Sequence, residues 1–245
     1  MIDLHCHILP GIDDGAADLE DALDMARQGR RDGVAVICAT PHIRHDHDVQ
    51  IAGLAERVAD LNSELGGHGI DVRVSAGGEL AETAVDGLDP GELREISLNR
   101  AGRWVLLEPA PGPIGDSLGM AVEKLRDRGL RSLIAHPERH AGPDFHERLA
   151  ALVSDGALIQ VTAAHLEDDA APALLELAQA GLVHVLGSDA HSARAGRPVS
   201  LSGALAALGT VPALEGHLGW IAEEAPAAIL RGEDVEPPFP VSPAR

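Results

Sequence analysis

The sequence predicts an α/β fold built on a parallel sheet, and three observations carry that prediction. Short apolar runs alternate with helical stretches along the whole chain, the pattern of repeated strand-then-helix units. The runs are mostly followed by Gly, Pro or Asp, the residues expected where strands give way to loops. Neither a GxGxxG nor a Walker sequence opens the first unit, which removes the commonest reasons for a doubly wound sheet and favours one closed as a barrel.

Taken in order, IDLHCHIL opens as a strand and leads to a helical stretch over 16–32, and VAVICATPH leads to another over 49–65. IDVRVSAGGE is the third run. RWVLLEP precedes a helix over 116–129, LRSLIAHPE one over 144–155, and ALIQVTAA one over 168–180. LVHVLGSDAH is the seventh run, with helices from about 199 to 231 after it; the apolar positions of 213–231 can close the barrel and need no partner. Seven units in 245 residues fit a single domain over 1–235, and 45% hydrophobic residues suffice for its core. The last ten residues, EPPFPVSPAR (236–245), are Pro-rich and read as an extended tail.

Composition narrows the function. No apolar stretch reaches 18 residues, and the first run carries Asp3, His5 and His7. Neither a membrane span nor a signal peptide is therefore expected, and the predicted location is cytoplasmic. Two cysteines, Cys6 and Cys38, make no disulfide framework. With 19 Lys+Arg against 39 Asp+Glu, the formal charge of −20 excludes a grip on nucleic acid through phosphate neutralisation. Most of that acid reads as a solvated surface, with some carboxylates available to cations. Aromatics are 2% of the chain and Tyr is absent, so few side chains can stack on bases or sugars.

The remaining polar residues fall in a pattern. His5 and His7 end the first run, His42 follows the second and Glu79 the third. Glu108 ends the fourth, His136 the fifth, and Asp189 with His191 follow the seventh. Six of seven predicted strands thus deliver an imidazole or carboxylate at the C-terminal end, the face where barrels keep their chemistry. Strand alternation puts Asp3, His5 and His7 on one face and Leu4, Cys6 and Ile8 on the other. Imidazoles with carboxylates and no thiolate suit Mn²⁺, Fe²⁺ or Zn²⁺, and there are more donors than one ion needs, which implies two or three. Asp3 is placed either to accept an N–H from a ligating imidazole or simply to cap the strand. His45 and His47 read as solvated loop residues, with substrate contact as the alternative; His68, His140, His146, His184 and His217 also read as solvated, and His165, ending the sixth run, is the one of the spare histidines placed to touch the site.

These residues resemble the four motifs of the PHP (polymerase and histidinol phosphatase) superfamily. MIDLHCHILPGIDDGA, ATPH, IAHPERH and GSDAHS with GRP are similar to the bacterial manganese-dependent protein-tyrosine phosphatases of capsule and exopolysaccharide loci, the CpsB/CapC type. The resemblance runs from Met1 to about Pro198. It implies a distorted, TIM-like seven-stranded βα barrel with a trinuclear metal site. By position, one ion would take His5, His7, Glu79 and Asp189; a second would share Glu79 with Glu108 and His136; a third would take Asp14, His42 and His191. Asp13 competes with Asp14, and Glu82 lies one turn beyond Glu79. The phosphate-holding arginines implied are Arg139 in HPER and Arg197 in GRP, with Arg194 as a competitor because the spacing there is a residue longer.

Closely spaced cations can lower the pKa of a water and neutralise an in-line displacement, and arginine forks favour the charge-dense transition state. The function implied is dephosphorylation of phosphotyrosine on a bacterial tyrosine kinase that controls polysaccharide export. A PHP phosphatase of a small molecule such as histidinol phosphate, a phosphodiesterase, or an inactive metal-binding module are the alternatives. Cys38 to Arg44 also satisfies C-x5-R, the spacing of cysteine-dependent tyrosine phosphatases. That loop carries a proline and no glycine, and Cys38 lies in an apolar run where a thiol is a small buried hydrophobe.

Overall fold

The computed structural model describes residues 1–241, so 242–245 of the predicted tail lie outside the described residues. The strands are β1 (Ile2–Cys6), β2 (Val36–Ala39), β3 (His42–Ile43), β4 (Arg73–Ala76), β5 (Glu79–Ala81), β6 (Trp104–Glu108), β7 (Arg131–Ile134), β8 (Leu158–Thr162) and β9 (Val185–Gly187). All named pairings are parallel, in the orders β1-β2-β4 and β3-β5-β6-β7-β8-β9. The sheet curls until its last strand meets its first: Cys6 bridges Ala190, the His7 N–H donates to the Ala190 carbonyl at 2.9 Å, and the Asp189 N–H donates to that of His5 at 2.8 Å.

Nine short strands stand where seven were expected, because the second and third runs are each interrupted. Pro41 has no N–H to offer the ladder between β2 and β3. Gly77 and Gly78 separate β4 from β5 at a point of close approach, where added Cβ atoms would come within 2.9 Å of Cys38 Sγ and 2.8 Å of Ile43 Cγ1.

The helices are α1 (Leu19–Asp32), α2 (Leu54–Gly67), α3 (Pro90–Ile96), α4 (Asp116–Asp127), α5 (Phe145–Ser154), α6 (Ala171–Gln179), α7 (Ser202–Leu208) and α8 (Ala225–Leu230). α1 begins where the Asp18 side chain accepts the Asp21 N–H and stops at Gly33, whose φ of 88° is left-handed. The sequence pattern missed α3, which is too short for periodicity and is set by its start: Asp89 and Glu92 form a reciprocal capping box ahead of Pro90.

Two apolar layers result. Leu4, Trp104, Leu106, Leu133, Leu158 and Val185 pack with Ile229 and Leu230 of α8 as a floor inside the curled sheet. Cys6, Ile8, Ile37, Val105, Leu107 and Ile159 pack under the other helices. Leu4 therefore departs from the predicted face, for a local reason: the β1–β2 register slips between Asp3 and Cys6, as a bulge does. The tail prediction also needs amending for its described part. Phe239 is 5% exposed and its ring lies 5.5–5.9 Å from those of Trp220, His217 and His184, so this segment joins the core.

Candidate metal centre

The inward ends of the strands bring together all nine predicted ligand positions. Glu79, fully buried on β5, lies at the middle of them. Its Oε1 is 3.3 Å from His5 Nε2 and 2.8 Å from His136 Nε2, while its Oε2 is 3.3 Å from His7 Nε2 and 2.9 Å from His42 Nδ1. Asp189 Oδ1 is 3.3 Å from His5 Nε2 and 3.5 Å from His7 Nε2. Asp14 Oδ1 faces His42 Nε2 at 3.4 Å and His191 Nε2 at 3.5 Å.

Four groups could each hold an ion: His5, His136 and Asp189; His5, His7 and Glu79; His42, Glu79 and Glu108; and His7, Asp14, His42 and His191. The grouping differs from the expected one in three places. His136 groups with His5 and Asp189. Glu108 approaches His42, with 3.9 Å between Oε2 and Nδ1, rather than grouping with His136, and His7 joins the Asp14 group.

The donor set fits divalent cations on its own chemistry. His42 Nδ1, Glu79 Oε2 and His136 Nδ1 are buried and make no hydrogen bond, although the first two are 2.9 Å apart. Leaving buried polar atoms unpaired is costly, and two atoms this close that do not hydrogen-bond are aimed at a shared third point. Donors held about 2.1 Å from one ion sit roughly 3.0–3.4 Å from one another, and these contacts, at 2.8–3.5 Å, bracket that spacing. Burial and the like charge of Glu79 push Glu108 up. Against the opposing effect of burial, the surrounding imidazoles hold Glu79 well below the usual range, and the carboxylates of Asp13, Asp189 and Glu79 lift His7 well above it. His7 and Glu79 thus support each other's charged forms, and a cation would take the proton's place.

Several residues orient the donors. Asp13 Oδ2 accepts from His7 Nδ1 at 2.8 Å and from the His42 N–H at 3.1 Å, and Oδ1 accepts from the Gly15 N–H at 3.0 Å. Its carboxylate is spent on these contacts, and they hold it down at about 2 although burial raises it. Asp14, beside it, keeps its oxygen toward two imidazoles. Gln160 Oε1 meets His5 Nδ1 at 3.0 Å. Glu82 accepts from Ser117 Oγ at 2.7 Å and is committed there.

Of the two roles read for Asp3, its contacts follow the one at the strand start. It touches no imidazole ring; it accepts from the His5 N–H at 3.1 Å, the Ser188 N–H at 3.0 Å and Ser188 Oγ at 2.6 Å, tying β1 to the loop after β9. Asp13, Gln160 and Ser188 had no spacing signal of their own; Asp13 was visible only as the neighbour of Asp14.

The backbone bends to serve the site. His136 has φ 29° and Asp189 φ 47°, left-handed values that cost of order 1–3 kcal/mol each. Ala135 belongs to the inner floor, so strict alternation would send His136 outward; its positive φ turns it back in. Glycine is required where the chain crowds the site: a Cβ at Gly15 would lie 2.2 Å from the His7 carbonyl oxygen, and one at Gly187 2.8 Å from His5 Cβ.

Arg139 and Arg197 converge on Asp189. Arg139 Nη2 donates to Asp189 Oδ2 and, at 3.2 Å, to Thr162 Oγ1. Arg197 Nη2 donates to the same Oδ2 at 2.8 Å and to the Asp189 carbonyl at 2.9 Å. Arg194 instead forks onto Asp18 at 2.8 and 3.0 Å, on the exposed surface. Of the spare histidines, His165 approaches Glu138 at 3.2 Å, beside the Arg139 turn, and the His47 ring lies 4.9 Å from that of His42.

The cysteine alternative fails on geometry. Cys38 is fully buried with Sγ against the Ala76 carbonyl at 3.5 Å, and burial pushes its thiol up to about 11. Arg44 is turned to Glu108, with 3.5 Å between Nη1 and Oε1, so no phosphate-wrapping loop forms.

Comparison with known proteins places this constellation. The family model for capsular polysaccharide synthesis, CpsB/CapC, matches residues 1–209. The chain belongs to the CpsB/CapC family. It is 34% identical over 204 residues to the tyrosine-protein phosphatase YwqE of Bacillus subtilis, covering 79% of this chain and 78% of that one. It is 27% identical over 175 residues to the tyrosine-protein phosphatase CpsB of Streptococcus agalactiae, covering 68% and 69%. Among solved structures, a chain described with the unique metal-dependent tyrosine phosphatases YwqE of Bacillus subtilis and CpsB of Streptococcus pneumoniae superposes with TM-score 0.81 at 29% identity over 99% of this chain and 100% of that one. The lactonase Lmo2620 of Listeria monocytogenes, at TM-score 0.50 and 14% identity, over 99% of this chain and 95% of that one, shares the fold alone.

Proposed function

We propose that this CpsB/CapC protein is a metal-dependent protein-tyrosine phosphatase that removes phosphate from a cytoplasmic bacterial tyrosine kinase controlling capsule or exopolysaccharide synthesis. The observation that carries the reading is the convergence of four imidazoles on the two oxygens of buried Glu79, with two arginines meeting at the adjacent Asp189. The activities in the names of its relatives support the same reading.

Glu79, with an oxygen turned to each side, would be the residue shared between ions. His5, His136 and Asp189 serve its Oε1 side, His42 and Glu108 its Oε2 side, and His7, Asp14, His42 and His191 form the outermost group. The site would hold two or three ions, Mn²⁺ first among them, with Fe²⁺ or Zn²⁺ able to use the same donors. Bound there, divalent ions supply a water of lowered pKa and neutralise charge in an in-line displacement. Asp13 and Gln160 keep His7 and His5 in the ring orientation and tautomer that present Nε2. Arg139 and Arg197 donate forked N–H groups to the phosphate's free oxygens, exchanging part of their hold on Asp189 for a more highly charged partner. Phenolate, with a parent pKa near 10, leaves without a dedicated general acid.

The test is a substrate panel with added Mn²⁺: a phosphotyrosine peptide, histidinol phosphate and a phosphodiester. Preference for the peptide, lost with EDTA and restored by Mn²⁺, is expected. Preference for either of the other two would overturn the substrate assignment.

A further inference from the structure

The loop RHDHDV (44–49), after β3, is not used by the chemistry above, yet it reaches the site. Arg44 Nη1 lies 3.5 Å from Glu108 Oε1, and its Nη2 lies 3.3 Å from His47 Nε2. His47 in turn sets its ring 4.9 Å from that of His42, tilted by 36°. A guanidinium and an imidazole, both half-buried and in contact, therefore stand beside two of the residues assigned to the ions.

A phosphotyrosine presents a flat phenyl ring immediately behind its phosphate, and that ring needs a flat partner. The chain's own aromatics do not provide one at this site. Tyr is absent; Trp104 is buried in the inner floor, Phe239 is buried against Trp220, and Phe145 packs on the helical layer. Guanidinium and imidazole planes are the surfaces left that can stack on an aromatic ring. His140 stacks over His136 at 6.1 Å but has its Nδ1 engaged with the Gly112 carbonyl at 3.0 Å, so its ring is already tethered.

We propose that Arg44 and His47 form the platform on which the substrate's phenyl ring lies, and so select aryl over alkyl phosphates. This rests on the phosphatase reading and deepens it. The platform binds the ring and leaves the phosphate to the ions and to Arg139 and Arg197, so it affects aryl affinity and spares affinity for the phosphoryl group alone.

The experiment is calorimetric titration of the Mn²⁺-loaded protein with phenylphosphonate and with methylphosphonate, neither of which turns over, beside elemental analysis of bound Mn²⁺. Wild type is expected to bind the phenyl ligand about three- to tenfold more tightly. His47→Ala and Arg44→Ala should each erase most of that preference, leaving methylphosphonate affinity and Mn²⁺ content unchanged. His47→Phe, which keeps a flat ring, should retain the preference. The inference is overturned if the preference survives both alanine variants, if both phosphonates weaken together, or if His140→Ala alone removes it. A drop in bound Mn²⁺ on His47→Ala also overturns it, by making His47 a ligand. Equal binding of the two ligands by wild type overturns the inference alone; binding of neither removes the phosphatase reading as well.

Discussion

Asp13 and Asp14 are chemically identical neighbours, and the fold gives them different work. Asp13 is held by His7 and two backbone N–H groups, while Asp14 points its oxygen at His42 and His191. Asp13→Asn should therefore lower Mn²⁺ affinity about 10- to 100-fold with the fold intact, the usual effect of removing an orienting carboxylate, measured by metal titration. An unchanged affinity would show that His7 needs no such support. Cys38→Ser should leave phosphatase activity within a few-fold of wild type, since the thiol is buried away from the site; loss of turnover with Mn²⁺ still bound would return the cysteine to the mechanism. The residues gathered at the site were legible in the sequence because strand-end placement is a positional rule that recurs along the chain. Asp13, Gln160 and Ser188 were not, because a residue that acts on another residue's ring or backbone leaves no spacing of its own.

At the scale of elements, the alternation of runs and helices correctly predicted a curled parallel sheet, and the interruptions at Pro41 and Gly77–Gly78 were written in the sequence without being read as breaks. Alternation within a strand misled at two places. The bulge in β1 sends Leu4 to the inner floor, and the positive φ of His136 re-aims its ring. Both deviations serve the site, which is where local rules are expected to be broken. Gly187→Ala tests how tightly β9 is pressed on β1. Its Cβ would meet Gln160 Nε2 at 2.7 Å and His5 Cβ at 2.8 Å, so about 1–3 kcal/mol of stability should be lost, with weaker Mn²⁺ binding in proportion to the shift of His5. Gly119→Ala, in α4 with open space around it, should instead be neutral or stabilising by up to about 1 kcal/mol. Thermal denaturation of the pair decides whether crowding or helix propensity governs each position.

For the whole molecule, the C-terminal segment and the sheet are joined through His184. Its Nδ1 accepts the Ile159 N–H at 3.0 Å, its ring lies parallel to Phe239, and burial holds it down to about 3. Between pH 6.5 and 3 the unfolded chain binds a proton there that the folded chain refuses. The stability His184 contributes is thus complete above pH 6.5 and is lost as pH falls toward 3. His184→Gln, which keeps an acceptor for Ile159, should flatten that limb of a stability-against-pH curve; an unchanged limb would assign the acid loss to other groups. The Phe239 contact was illegible in a segment whose prolines read only as a tail, because burial of one aromatic side chain outweighs that composition.

Charge and fold meet at Glu79, and the account depends on cations being held around it for phosphotyrosine hydrolysis. The most direct measurement is hydrolysis of a phosphotyrosine peptide by chelator-stripped protein titrated with Mn²⁺, set beside Glu79→Gln. Wild type should be inactive when stripped and recover turnover as two or three Mn²⁺ bind per chain, while Glu79→Gln should stay folded, bind fewer ions and remain inactive. Turnover by the stripped wild-type protein, or full recovery in Glu79→Gln, would contradict the account.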